Sequence, residues 1–266
     1  MRKLKRLLVT GAAGIIARQI REGLSEFAET VRLSDMRDMG DAAPHEELVE
    51  CDITDSEAVE ELVAGCDAIL HFGAISVEDR ADIIHRTNIE GTYHLYEAAR
   101  KKHARRILFA SSNHVIGFHP RESILTASSP IRPDGNYGVS KAYGEALARL
   151  YWDKYEIETL IVRIGSCFPR PRDRRMMATW MSKDDMLRLI GRMVDVPRLG
   201  CPIVYGVSDN AEKWWDNSET AYLGWEPQDS SEQFRDLFKD APRENPNDPS
   251  VVRQGGVFAS AGHFED

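Results

Sequence analysis

A short apolar strand, Leu4 to Thr10, runs straight into Gly11-Ala12-Ala13-Gly14, and a helical pattern from Ile15 to Phe27 follows. Thr30 to Asp35 then reads as a second strand that ends in an acid. Strand, glycine turn, helix and strand in this spacing leave one solution. The helix returns the chain across the sheet, so the two strands lie parallel. The alternation continues with strands at Glu47 to Asp52, Asp67 to Phe72, Arg106 to Ser111 and Ile157 to Arg163. Between them lie helical patterns at Ser56 to Ala64, at Asp79 to His103 as one long helix, and at Lys141 to Tyr155.

This pattern predicts an α/β fold, a doubly wound parallel sheet of Rossmann type with helices on both faces. After Gly165 the pattern loosens. Pro169 and Pro171 with Arg170, Arg172, Arg174 and Arg175 mark a loop. A helix is expected from Ser182 to Val194, packing aromatics at Trp214 and Trp215, and a final helix from Ser231 to Phe238. The polar tail after Pro242 reads as extended or loosely held. Residues 1–266 are thus expected to form a single dinucleotide-binding domain, with 166–266 supplying a small substrate-binding cap and a C-terminal extension.

The charge balance, 43 acidic against 34 basic residues, argues against a nucleic-acid or membrane-surface partner. No apolar run is long enough to span a bilayer. Leu7-Leu8-Val9 is too short for a signal-peptide core, so a cytoplasmic location is expected. Cys51, Cys66, Cys167 and Cys201 lack metal-ligand spacing, so reduced buried thiols and no metal site are expected.

Gly11 and Gly14 follow a strand and open a helix, where backbone can approach a pyrophosphate resting on the helix N-terminus. Ala17 stands where a full fingerprint has a third glycine, and it is small enough for close helix–strand packing. Asp35 at the end of the second strand suits the ribose hydroxyls of NAD and repels the 2′-phosphate of NADP. Asp52, ending the third strand, is placed either to meet the adenine or to cap the next helix.

Asn136-Tyr137-Gly138-Val139-Ser140-Lys141 sets a tyrosine and a lysine one helical turn apart, on one face. A nearby ammonium favours the phenolate, so Tyr137 is expected to have a lowered pKa and to act as a base. Ser112, at the carboxyl edge of the fifth strand, can bond a reacting oxygen; its neighbour Ser111 is expected to bond backbone.

Thr10-Gly11-Ala12-Ala13-Gly14, Asp35, His71-Phe72-Gly73-Ala74, Asn88, Ser111-Ser112 and Tyr137-x-x-x-Lys141 together resemble the extended short-chain dehydrogenase/reductase superfamily. A narrower resemblance, nearly end to end, is to bacterial uronate dehydrogenases. It rests on Gly73 to Glu78, Ala110 to His114, Val162 to Cys167, Gly200 to Gly206 and Trp214 to Asn217. The chain departs from it at Ile15-Ile16-Ala17, where such enzymes often carry Gln-Leu-Gly.

The resemblance implies NAD-dependent oxidation of C1 of glucuronate or galacturonate to the aldaric acid lactone. It implies catalysis by Tyr137, Lys141 and Ser112, which it selects over Ser111. The implied cofactor set is Gly11, Gly14, Ile15, Ile16, Asp35, Asp52, Ile53, Phe72, Gly73, Ala74, Asn88, Lys141 and the backbone of Cys167. The implied sugar set is Ser76, Ser112, Asn113, His114, Tyr137, Ser166 and Arg175. Arg170, Arg172, Arg174 and Arg175 compete on sequence for the substrate carboxylate; the resemblance alone selects Arg175. The expected partners are a small uronic acid and further copies of the chain in a homo-oligomer.

Two other readings stand. A nucleotide-sugar epimerase or dehydratase shares the fold, but it needs a larger C-terminal region, and Asn113 replaces the dehydratase acid. A non-catalytic NAD-sensing regulator is the second, although such proteins usually lose the tyrosine or lysine present here.

Overall fold

The computed structural model describes residues 3–242 and 244–263. Seven parallel strands form one sheet in the order β3-β2-β1-β4-β5-β6-β7. In chain order, β1 (Leu4–Thr10) leads through the glycine turn to α1 (Ile15–Ile20), which tightens into a 3-10 stretch, Arg21–Glu26. β2 (Ala28–Ser34), β3 (Glu46–Val49), α2 (Ser56–Val63) and β4 (Ala68–His71) follow. Next come α3 (Ala81–Ile84), a π-helical turn (His85–Glu90) and α4 (Gly91–Lys102), then β5 (Arg106–Ser112), α5 (Asn136–Tyr155) and β6 (Glu158–Ile164). The last third holds α6 (Met176–Thr179), α7 (Lys183–Asp195), β7 (Ile203–Gly206), 3-10 stretches at Ser218–Leu223 and Ser231–Phe238, and α8 (Pro249–Val252) and α9 (Val257–Ser260).

Both faces of the sheet are buried. Leu7, Val9, Leu108, Leu160 and Val162 point to one core with Ile20, Leu189 and Ile190. Leu8, Ile69, Ile107, Phe109 and Ile161 point to the other, with Val59, Leu95 and Ala148. Alternation along each strand therefore divides its side chains between two apolar layers, each such fully buried side chain contributing roughly 1.5–3 kcal/mol. The strand order reverses between β2-β1 and β4-β5, which opens a crevice at the carboxyl edge. Ala17 packs in the first core, as its size requires. No helix among the described residues is long and apolar enough to cross a membrane.

Three expectations need correction. The seventh strand was not foreseen. It has four residues, lies at the sheet edge and follows Cys201-Pro202, so its local signal is short. The long helix runs unbroken from Ala81 to Lys102 but is not α-helical throughout: it widens into a π turn around Asn88, whose side chain bonds back to the loop after β4. The described part of the tail after Pro242, residues 244–263, is not loose. Gln254 is fully buried. Its amide donates to the Pro120 and Ser123 carbonyls and accepts from Trp215 Nε1. Trp214 and Trp215 are buried packing residues, as expected.

Candidate active site

The glycine turn is shaped by its neighbour. Gly11 has φ +71°, and a Cβ there would lie 2.6 Å from Gly73 N and 2.7 Å from the Phe72 carbonyl carbon. Only glycine fits both constraints. Phe72 N donates to the Thr10 carbonyl and Gly73 N to Thr10 Oγ1, so the loop through Ala74 is tied to the turn. Gly14 caps α1, while Ile15 is exposed and Ile16 packs against the core.

Asp35 Oδ2 accepts from Ala13 N (3.0 Å), and Oδ1 accepts from Arg37 N (2.9 Å) and Nε (3.3 Å). Burial raises the Asp35 pKa, but these hydrogen bonds outweigh it and the group ends below the ordinary carboxylate value. An ionised carboxylate accepts about four bonds, so capacity remains for a ribose. Asp52 bonds Thr54 N, and the cap of α2 is Asp55, which removes the capping reading for Asp52. Ile53 fills the space above Gly91, where a Cβ would sit 2.7 Å from Ile53 Cγ1.

Asn88 departs from its expected role. Its Nδ2 donates to the Ile75 carbonyl and to Ser140 Oγ (both 3.0 Å), and its Oδ1 accepts from Ile75 N. Both donors are taken by protein, so Asn88 ties the loop after β4 to α5 rather than donating to a cofactor. The Cys167 backbone is expected to meet a nicotinamide amide; its carbonyl accepts from Gln19 Nε2 at 3.2 Å. All four thiols are free and buried.

α5 begins under an unforeseen carboxylate. Glu78 accepts from Asn136 N (2.8 Å) and Tyr137 N (3.0 Å), filling the space over Gly135. Orphan donors of the helix start are thereby satisfied by a residue 58 positions away. Tyr137 and Lys141 then point inward from one face, both buried. Lys141 Nζ lies 5.7 Å from the Tyr137 ring centroid and 5.2 Å from that of Phe109, with no hydrogen-bond partner among the described residues.

The expected lowering of the Tyr137 pKa is not found. Burial pushes the phenol up to about 12, with a hydrogen bond to Ser112 pulling back and Asp134 adding to the rise. Burial likewise brings Lys141 down to about 7. The apolar surroundings penalise both ions more than the lysine favours the phenolate. Ser112 caps the 3-10 turn Asn113–Ile116 by accepting from His114 N. Ser111 bonds a carboxylate, not backbone: its Oγ donates to Glu145 Oε1 (2.6 Å), inside the buried Glu145–Arg163 pair.

The other end of the crevice separates the arginines. Arg175 Nε donates to the Gln254 carbonyl (2.7 Å). With the Asn113 amide oriented to donate to the Ile164 carbonyl, its oxygen accepts from Arg175 Nη2 at 2.6 Å. Surface area leaves Arg175 partly exposed, yet protein surrounds it closely enough that burial lowers its pKa to about 10. It makes no salt bridge among the described residues. Arg174 instead donates to the Phe238 and Ala241 carbonyls, Arg172 lies over Phe168, and Arg170 is exposed. Geometry thus distinguishes Arg175 where sequence alone did not.

His114 Nδ1 bonds Asp134, and Phe258 from α9 stacks on the His114 ring with centroids 3.9 Å apart. Neither Asp134, Gln254 nor Phe258 was singled out from sequence. No motif marks them, and Gln254 and Phe258 lie in the stretch read as loose. Ser76 is exposed in the loop after β4. Ser166 Oγ shares a hydrogen bond with Thr179 Oγ1 (2.9 Å), so its hydroxyl already has a protein partner.

A dinucleotide fits these residues. Gly14 heads α1 with no side-chain cap on its first amides, Asp35 retains acceptor capacity, and Lys141 is buried without a hydrogen bond among the described residues. A guanidinium with three N–H groups unused faces the same crevice as a tyrosine–serine pair, which suits acid–base chemistry on an anionic polyol.

Residues 7–186 match the model of the NAD dependent epimerase/dehydratase family. The uronate dehydrogenase of Pseudomonas putida is 52% identical over 97% of this chain and 97% of its own. The crystal structure of a glucuronic acid dehydrogenase from Chromohalobacter salexigens superposes with a TM-score of 0.97 at 54% identity, covering 99% of both chains. A mutant uronate dehydrogenase from Agrobacterium tumefaciens complexed with NAD gives 0.95 at 50% identity, covering 98% of both.

Proposed function

The chain belongs to the NAD dependent epimerase/dehydratase family, among its uronate dehydrogenases, and from that premise we propose how it oxidises C1 of free glucuronate and galacturonate to the aldaric acid lactone. It is an NAD-dependent oxidoreductase. Residues 166–266 contribute the substrate cap and C-terminal extension of a single dinucleotide-binding domain, beside the α7 and β7 that complete its core and sheet. Gly11, Gly14 and Asp35 seat the pyrophosphate and the adenosine ribose. NAD+, when bound, would supply the hydride acceptor for C1.

Ser112 holds the anomeric oxygen, and Tyr137 takes its proton as the C1–H bond breaks and the lactone carbonyl forms. Lys141 stands one turn behind. A phenolate and an ammonium formed together compensate each other where each alone is penalised. Asn113 and Gln254 leave Arg175 with both Nη1 hydrogens and one on Nη2, the end of the fork that grips a carboxylate in two parallel bonds. That free fork carries the reading, because it asks for the C6 carboxylate that neutral sugars lack.

The test is NADH production from free glucuronate, galacturonate, glucose and galactose, with nucleotide sugars alongside. The reading expects net NADH from the uronates far above the neutral sugars. Conversion of a nucleotide sugar without net NADH, and none from uronates, would support the epimerase reading instead.

A further inference from the structure

We propose that Asp134 is a positioning residue that fixes His114 as a hydrogen-bond acceptor for one ring hydroxyl of the sugar; the proposal rests on the uronate reading above. Asp134 lies in the turn Pro133-Asp134-Gly135 ahead of α5, and its side chain is fully buried. Its two carboxylate oxygens lie 3.1 and 2.9 Å from His114 Nδ1. No other hydrogen bond or ion pair to that carboxylate exists among the described residues. It sits instead against backbone, since a methyl group on either Gly117 or Gly255 would overlap Oδ2. Two glycines thus make room for a carboxylate that has one polar partner.

An ionised carboxylate only accepts, so Nδ1 must carry a proton. In the neutral imidazole Nε2 is then a bare acceptor, and the choice of tautomer belongs to Asp134. The ring cannot turn to another partner. Phe258 stacks on it at 3.9 Å, and Tyr137 meets it edge-on at 5.7 Å between centroids. His114 Nε2 has no hydrogen-bond partner among the described residues. It is the one polar edge of the ring left for a ligand, beside the tyrosine that handles C1. A sugar hydroxyl donates to such an edge. Arg175 then reads the carboxylate at the other end of the same molecule, and the two contacts together set the sugar's orientation.

The experiment uses the full chain with saturating NAD and has two parts. Nitrogen-15 NMR of histidine-labelled wild type, at the assay pH, should show His114 as the Nδ1–H tautomer. An Nε2–H tautomer or a doubly protonated ring overturns the proposal, and this reading does not depend on any variant folding. Kinetics then compare wild type with Asp134→Asn on glucuronate and on deoxyuronates that each lack one ring hydroxyl. One analogue should lose roughly tenfold in kcat/KM with wild type, the scale of a single lost hydrogen bond. Asp134→Asn should raise KM for glucuronate by a similar factor, leave KM for NAD unchanged and no longer discriminate against that analogue. An Asp134→Asn enzyme with wild-type KM and intact discrimination overturns the proposal while the uronate reading stands. A wild type inactive on every uronate overturns both.

Discussion

Arg175 Nε donates to the backbone carbonyl of Gln254 at 2.7 Å, across 79 residues of chain. The bond aims the guanidinium from the side, leaving its forked end free. It also places the C-terminal segment in the site, because Gln254 N donates to the His119 carbonyl and Gly255 N to the Gly117 carbonyl.

Replacing Arg175 with Ala should cost about 2–5 kcal/mol in kcat/KM for uronates, roughly thirtyfold to several thousandfold. Activity on neutral sugars should hardly change, so the selectivity ratio collapses. Arg174→Ala removes two bonds to the Phe238 and Ala241 carbonyls. It should lower Tm and leave selectivity intact. Equal losses on both sugar classes with Arg175→Ala would show that the residue is structural.

Tyr137→Phe should abolish turnover while NAD still binds, as read by cofactor titration and NADH formation. A variant that keeps a tenth of wild-type kcat, roughly 1.4 kcal/mol in barrier, removes Tyr137 from the proton-transfer role.

Gly135→Ala should displace the Glu78 carboxylate that holds the first amides of α5. The lost capping is worth about 1–2 kcal/mol, a fall in Tm of about 2–8 °C, with a lower kcat because Tyr137 sits in that first turn. Glu78→Gln, which keeps one acceptor oxygen, should fall between. An unchanged Tm in both variants removes Glu78 from the account.

Lys141 gives a pH dependence of defined sign. Its folded-state pKa is depressed to about 7 from the ordinary 10.5. Between those values the unfolded chain holds a proton that the folded chain does not, so the lysine's contribution to stability rises with pH, by at most about 1.4 kcal/mol per unit. Below that window the full cost of a buried charge is present. Lys141→Met should therefore exceed wild type in stability at acidic pH, and the gap should shrink as pH climbs toward the ordinary lysine range. Melting curves of both proteins without cofactor decide it; a gap that does not vary with pH contradicts the assigned shift.

Wild type should prefer NAD to NADP. Asp35→Asn keeps an acceptor for Ala13 N and removes the charge. It should narrow the ratio of kcat/KM values, with some loss of Tm because the amide NH2 then faces the Arg37 N–H groups that Oδ1 accepts from. A ratio that stays put would mean that the carboxylate does not face the ribose.

Periodicity and punctuation in the sequence were enough for β1, which matches its expected span, and for the order of strands and helices around it. Both signals are local, carried by residues within one or two turns of each other. The glycine turn, Asp35 and the Tyr137–Lys141 spacing are of the same kind.

What the sequence could not decide depends on partners brought together by the completed sheet. Four arginines in one loop look alike until Gln254, from a segment that read as loose, fixes one of them. Tyr137 and Lys141 stand a turn apart in any helix there, but the sign of their pKa shifts was set by how deeply α5 is buried against β5. The roles of Glu78 and Asp134 carry no local signal, because a carboxylate becomes a cap or an orienting partner only when folding delivers an amide or an imidazole to it. Helix and strand formation answer to neighbouring residues; hydrogen-bond partners and desolvation answer to packing across the whole chain.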